Sequence, residues 1–218
     1  LPDYTSIAHA TRTKEKKEVV VEDKEVSEAM ERLTAINEKS GVKPEMTDAF
    51  ARTLGPFPTV TALTEHVRAS LIKEKVEREH ERVRVAMIEA IVSASTFTLP
   101  KILVDAEEDR MLGELFSTVA RMGRQWDEYL KDAGKTSEDI RADLRPDAER
   151  RAGFGLILQS LARVEKIIVP EADIEKRTDA MLAMYSPEEL KKIDRTRVRH
   201  YVASVMENDA VFVVLENV

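Results

Sequence analysis

Leu54–Leu112 reads LGPFPTVTALTEHVRASLIKEKVEREHERVRVAMIEAIVSASTFTLPKILVDAEEDRML: a turn, a long helix, a short extended stub and a second helix begun just after a proline. Gly55, Pro56 and Pro58 stop whatever precedes them, and Thr59 or Thr61 can cap the following helix by accepting from a free backbone N–H. Leu63, Val67 and Leu71 recur every fourth residue, and Val76, Val83, Met87 and Ile91 resume the stripe. No Gly or Pro interrupts the run up to Phe97. At about 1.5 Å per residue, some 35 residues give a helix of roughly 50 Å, longer than the helices of most compact domains. Its middle, Glu77-Arg78-Glu79-His80-Glu81-Arg82, has no apolar residue and can bury little against a core, so the helix is expected to project as an arm.

Composition agrees with an extended, mainly all-α protein. Among 218 residues, 34% are charged and only 7 are glycine, a balance that favours helices over turn-rich β architecture. At 43% hydrophobic, the chain can still build cores. A net charge of −7 argues against a nucleic-acid partner, whose phosphates want a basic face. The absence of cysteine excludes disulfides, thiolate metal sites and cysteine nucleophiles, and fits a reducing cytoplasm. No apolar run approaches the roughly 20 residues of a membrane span, so no membrane partner is expected. Leu1 rather than Met opens the chain, which reads as a processed or truncated piece.

Outward from the long helix, Leu1 to Thr13 shows little periodicity and reads as the tail of something upstream. Val19-Val20-Val21 is a β-branched stub expected to form a short strand, and Asp23 suits an N-cap for a helix carrying Val26, Met30, Leu33 and Ile36 to about Lys39. Ser40-Gly41-Val42-Lys43-Pro44 breaks that helix and sets the expected boundary between a connector, 1–43, and a helical domain, 44–218. Thr47 precedes a short helix from Asp48 to Leu54. Within the domain the expected helical segments are about 60–95, 100–133, 136–185 and 187–216. The second is ended at Gly123 and followed by a short amphipathic turn of Trp126, Tyr129 and Leu130 closed by Gly134; the third is bent at Pro146 and interrupted by the Ile167-Ile168-Val169 stub. Thr136 to Asp139 and Ser186 to Glu189 are capping boxes. Val211 to Leu215 would suit a strand by propensity but continues a helical spacing, and is read as helix.

An internal repeat is visible. Leu99-Pro100 precedes Val104, Asp109, Met111 and Leu112, and Val169-Pro170 precedes Ile174, Asp179, Met181 and Leu182 at the same offsets, with Val21, Val26 and Leu33 repeating the apolar part. Each copy turns an extended stub into an amphipathic helix, a unit that could build arms around a shared base. Convergence of stub-to-helix junctions on one pattern explains the repeat equally well.

Motifs for catalysis or metal binding are nearly silent. Glu77 and His80 match the Glu-x-x-His spacing of carboxylate di-iron bundles, but no second copy exists, and Arg84 stands where a zinc-protease helix needs its second histidine. Gly153-Phe154-Gly155 lacks the rest of a phosphate loop and suits close helix packing. The basic cluster of Lys191, Lys192, Arg195, Arg197 and Arg199, interrupted by Asp194, reads as a solvated face. Neither a catalytic set nor a cofactor or metal is expected.

Methionine carries the stronger signal. Met111, Met122, Met181 and Met184, with Leu115, Phe116, Trp126, Phe154 and Tyr185, supply the soft apolar surface used by promiscuous binding sites. Each residue taken singly suits a core; the set as a whole exceeds what extended arms can bury.

The order of several of these segments resembles the C-terminal chaperone domain of bacterial trigger factor. The resemblance runs through Glu45-Met46-Thr47-Asp48-Ala49-Phe50-Ala51, Leu54-Gly55-Pro56-Phe57, the charged helix, Phe97-Thr98-Leu99-Pro100 and Asp109-Arg110-Met111-Leu112. It continues through Gly134-Lys135-Thr136, the Arg141 to Arg151 helix, Ile168-Val169-Pro170, Ser186-Pro187-Glu188-Glu189 and the Glu207 to Val218 end. Lys17 to Val26 is similar to the family's connecting segment after its ribosome-binding domain. Two departures stand out. The ribosome-docking loop belongs to a domain upstream of Leu1, so a ribosome contact is assigned to no residue here. The family's FKBP-like prolyl isomerase usually lies where only Ser40 to Pro44 stands, so isomerase activity is expected to be missing.

The resemblance implies an ATP-independent, cytoplasmic chaperone whose helical arms cradle unfolded or nascent polypeptide. On that reading Met111, Leu115, Phe116, Met122, Phe154, Leu158, Met181 and Met184 line the client-binding cleft. The alternative is a scaffold or assembly protein that embraces one folded partner or a second copy of itself as a homodimer.

Overall fold

Helix boundaries follow local cap chemistry. The computed structural model describes residues 1–38 and 44–218, and the expected break at Ser40–Lys43 lies outside them. In chain order the helices are α1 (Tyr4–Glu15), α2 (Asp23–Ile36), α3 (Asp48–Leu54), α4 (Val60–Ala94) and α5 (Lys101–Arg121). They continue as α6 (Trp126–Ala133), α7 (Ser137–Val164), α8 (Glu171–Leu182), α9 (Pro187–Leu190) and α10 (Arg195–Glu216). Among the described residues there is no strand, so Val19–Val21 runs without a β partner. The fold is all-α.

Thr47 Oγ1 accepts from Phe50 N at 3.3 Å to start α3, and Thr59 rather than Thr61 opens α4, accepting from Ala62 N at 3.2 Å. Thr136 and Asp139 cap each other's backbone at 2.8 and 3.1 Å, and Ser186 with Glu189 repeats the device at 2.8 and 3.4 Å. Glu22 rather than Asp23 precedes α2, with Glu25 reaching back to its N–H at 2.9 Å.

The repeated stub-to-helix junctions share one geometry. Pro100 has φ −61°, ψ 128° and Pro170 has φ −61°, ψ 134°; Glu22, with φ −77° and ψ 152°, lies close to both. In each case the cap carbonyl accepts from the amides three and four residues on: Leu103 and Val104, Asp173 and Ile174, Glu25 and Val26. The fourth residue is buried every time.

The chain divides into two compact units, one of residues 12–86 and the other of residues 1–11 with 87–218. In the first unit Val26, Met30, Ala51 and Leu63 form a core, covered by half-buried neighbours including Leu33, Phe57 and Val67. Lys75 straps the Val19–Val21 segment to α4 by donating to the Val20 carbonyl at 2.8 Å and to Glu25 at 2.6 Å. Glu79 accepts from the Lys17 amide at 2.8 Å and pairs with Arg82, which also holds Glu15 at 2.9 Å. The Arg82 guanidinium, then the Lys17 N–H, hold the Glu79 carboxyl down from its ordinary 4.5 to about 2. Because the folded value lies below the unfolded one, the contact is fully favourable above about pH 4.5 and fades as the pH falls through 2. The Lys17 amide resonance is therefore expected to titrate near pH 2 in the parent and to lose that inflection in Glu79→Gln. An inflection near 4.5 in the parent would show that the contact is absent in solution.

In the second unit α5 packs on α7 and on α6, and α10 packs on both α7 and α8. Val104, Met111 and Ala148 form the α5–α7 core, with Leu99, Leu144 and Ala152 against it. Buried Glu108 accepts from Arg141 at 3.1 Å and Arg145 at 3.3 Å on α7. A Cβ on buried Gly153 would lie 3.7 Å from both Phe97 and Val92, an ordinary van der Waals distance, so packing leaves room for alanine there and the expectation that close packing requires this glycine is not met.

Three expectations need correction here. Leu1–Thr13 is no featureless tail: residues 4–15 are helical, Asp3 accepts from Ser6 N at 3.2 Å, and Ala8 is fully buried. Tyr4 donates to Glu165, a tertiary tie that sequence periodicity cannot show. The expected helix 187–216 is two helices, because Asp194 turns its side chain onto Thr196 N at 2.8 Å and starts α10 afresh. The basic cluster is not simply solvated. Arg195 pairs with Glu175 at 2.6 Å and Asp179 at 2.7 Å, and Arg199 with Glu175 at 2.8 Å, so these charges join α10 to α8.

α7 ends in a Schellman turn in which Ile167 N bonds the Ala162 carbonyl at 2.9 Å and Lys166 sits at φ 52°. A side chain in that left-handed region costs roughly 1 kcal/mol, which glycine avoids. Lys166→Gly is expected to raise stability by about 0.5–1 kcal/mol in urea denaturation, while Lys166→Ala gains nothing. A destabilised glycine variant would show that the lysine side chain holds the turn.

Candidate functional site: an aromatic groove and exposed methionines

α5 ends where Gly123, at φ 71°, lets Arg124 N bond the Val119 carbonyl at 3.2 Å. The chain reverses at once into α6, whose first residue is Trp126. Its indole lies 5.7 Å from the Phe116 ring and stacks on Tyr129 at 5.4 Å. Trp126 Nε1 also donates to Ser137 Oγ at 3.4 Å, so one side chain ties together α5, α6 and the start of α7. Arg124 closes the same turn by pairing with Asp132.

The result is a groove of about 330 Å³ lined by Phe116, Val119, Ala120, Gly123, Arg124, Gln125, Trp126 and Asp127. Its lining mixes the aromatic and aliphatic side chains of Phe116, Val119, Ala120 and Trp126 with polar Arg124, Gln125 and Asp127. A second groove, about 320 Å³, lies among Leu1, Phe97, Pro100, Leu156 and Ile157 with Ser95, Thr96, Thr98 and Ser160.

The structure divides the eight expected cleft residues. Met111, only 7% exposed, is packed between α5 and α7 as core and cannot offer its thioether to a ligand. Leu115, Phe154, Leu158 and Met181 are half-buried. Phe116, Met122 and Met184 stand 52%, 70% and 86% exposed. Phe116 and Met122 belong to the end of α5, beside α6; Met181 and Met184 belong to the end of α8, whose partner is α10. The exposed members of the expected eight thus fall on two helix pairs. Trp126 and Tyr129 stood outside the expected cleft, although their spacing after Gly123 marks a short amphipathic helix.

Among the described residues no group of three or more His, Cys, Asp or Glu side chains could hold a metal ion. Carboxylates held below their ordinary range owe it to ion pairs or caps: Glu175 to Arg195 and Arg199, and Asp139 to Thr136. No helix of the described residues is long and apolar enough to cross a membrane.

A family model described as bacterial trigger factor protein (TF) C-terminus matches residues 59–215. The chain is 28% identical over 189 residues to a trigger factor of Clostridium botulinum (strain Alaska E43 / Type E3), covering 87% of this chain and 43% of that protein. It is 29% identical over 195 residues to the trigger factor of Lysinibacillus sphaericus, covering 85% and 46%. With the trigger factor of Shouchella clausii the identity is 31% over 153 residues, covering 69% and 35%. The chain therefore spans less than half the length of these curated relatives.

Proposed function

Since this chain belongs to the bacterial trigger factor C-terminal family, we propose that it is an ATP-independent chaperone segment that holds unfolded or nascent polypeptide on its exposed apolar side chains. One observation carries the reading. Phe116, Met122 and Met184 remain accessible while Val104, Met111, Ile157 and Leu161 fill the interior, so the fold does not need them for its own core. Side chains of this kind bind many apolar segments weakly and without sequence selectivity. The surrounding ion pairs keep the same surface soluble.

Clients are the proposed partners and the cytoplasm the proposed setting. Ribosome contact is assigned to no residue of this chain, and no enzymatic role is proposed for it. The test is light scattering of a chemically denatured client diluted into buffer with and without the 218-residue chain. Suppressed scattering in the absence of ATP supports the reading. Undiminished scattering across a wide excess of the chain would instead favour a scaffold that embraces one folded partner or a second copy of itself.

A further inference from the structure

The chain contains no cysteine, so its eight methionines are its only sulfur and its most readily oxidised side chains. Burial separates them sharply. Met87 is fully buried, Met30 and Met111 are nearly so, and Met46, Met181 and Met206 are half-buried. Only Met122 and Met184 are open to solvent among them, and both are among the exposed apolar side chains assigned above to client binding. Met122 closes α5 beside the Phe116–Trp126 groove, and Met184 follows α8 next to half-exposed Tyr185.

We propose that Met122 and Met184 are reversible oxidation sites whose modification lowers the apolar character of the client-binding side chains while the fold stays intact. The oxidant is a peroxide. A thioether lone pair attacks one peroxide oxygen, the O–O bond breaks, and the products are the sulfoxide and, after proton transfer, water. Sulfur loses two electrons and the peroxide gains them. A thiol-dependent sulfoxide reductase reverses the step, two thiols becoming a disulfide as the oxygen leaves as water. The sulfoxide is polar, so each modified side chain stops contributing apolar contact area. Core methionines are shielded, and a buried sulfoxide, which would disrupt packing, is avoided.

This inference rests on the client-holding reading for its consequence, but its chemistry can be measured separately. Brief treatment of the folded 218-residue chain with hydrogen peroxide, followed by peptide mass spectrometry, should show Met122 and Met184 oxidising at least about tenfold faster than Met87 and Met111. Binding of an apolar fluorescent dye should fall several-fold, with an unchanged thermal transition, and a sulfoxide reductase with thiol should restore it. In the Met122→Leu, Met184→Leu double variant, peroxide should no longer lower dye binding relative to the same variant untreated. Equal oxidation of buried and exposed methionines, or dye binding that falls equally in the double variant, overturns the proposal. If the untreated chain fails to suppress client aggregation, the holding function fails, while sulfoxide mapping and dye binding still decide the oxidation sites.

Discussion

Met111→Ser is expected to destabilise the unit that contains it by about 3–5 kcal/mol, whereas Met122→Ser should change stability by less than about 0.5 kcal/mol. The two side chains are chemically identical and lie on one helical stripe: at about 100° per residue, eleven positions bring the direction back to within roughly 20°. They differ in what covers them. Met111 meets Ala148 and Val104 where α7 lies against α5, and its removal leaves a cavity that the paired helices cannot close. The serine hydroxyl adds the cost of a polar group taken out of water. Met122 ends α5 beyond that cover and is already hydrated. For a unit of this size, a loss of 3–5 kcal/mol corresponds to a thermal midpoint lowered by roughly 10 °C, readable by circular dichroism at the helix band. Equal midpoints for the two variants would remove Met111 from the core and return it to the candidate surface.

That contrast shows what was legible in the sequence and what was not. Helix starts and stops are local chemistry. Thr47, Thr136 and Ser186 each satisfy an amide three residues on, and Gly123 and Gly134 adopt left-handed turns, so their elements could be read directly. The stub-to-helix repeat also survives as shared geometry at Glu22, Pro100 and Pro170. α1 was not legible, because its anchoring bond runs from Tyr4 to a residue 161 positions away. Asp194 was legible as an N-cap in principle, yet the flanking basic residues made the segment look like one continuous charged face. Their pairing with Glu175 and Asp179 depends on α8 lying alongside α10, which no spacing within α10 encodes. The candidate site suffered the same limitation. Residue type grouped Met111, Leu115 and Met122 together, but burial along one helix is decided turn by turn by the neighbouring helix.

The triple variant Phe116→Ser, Met122→Ser, Met184→Ser is expected to lose most of the chain's capacity to hold denatured client while keeping its fold. A fully buried apolar side chain is worth about 1.5–3 kcal/mol, and a mobile client covers each one only in part, so about 1 kcal/mol per position is a fair estimate. Three positions then weaken holding by roughly 3 kcal/mol, a factor of about a hundred. Stability should move far less. Met122 and Met184 are exposed, and Phe116 forfeits one tilted ring pair with Trp126, worth about 1 kcal/mol, so the midpoint should fall by only about 2–4 °C. Scattering suppression as a function of chain concentration, with thermal melts of the same samples, reads both quantities. Undiminished holding would assign client contact elsewhere, such as the Phe97–Leu156 groove. A collapsed melting curve would mean that these side chains pack the fold. Loss of holding with an intact melt is the outcome expected of a surface whose apolar character serves binding, because only there can polarity change so much at so little cost to folding.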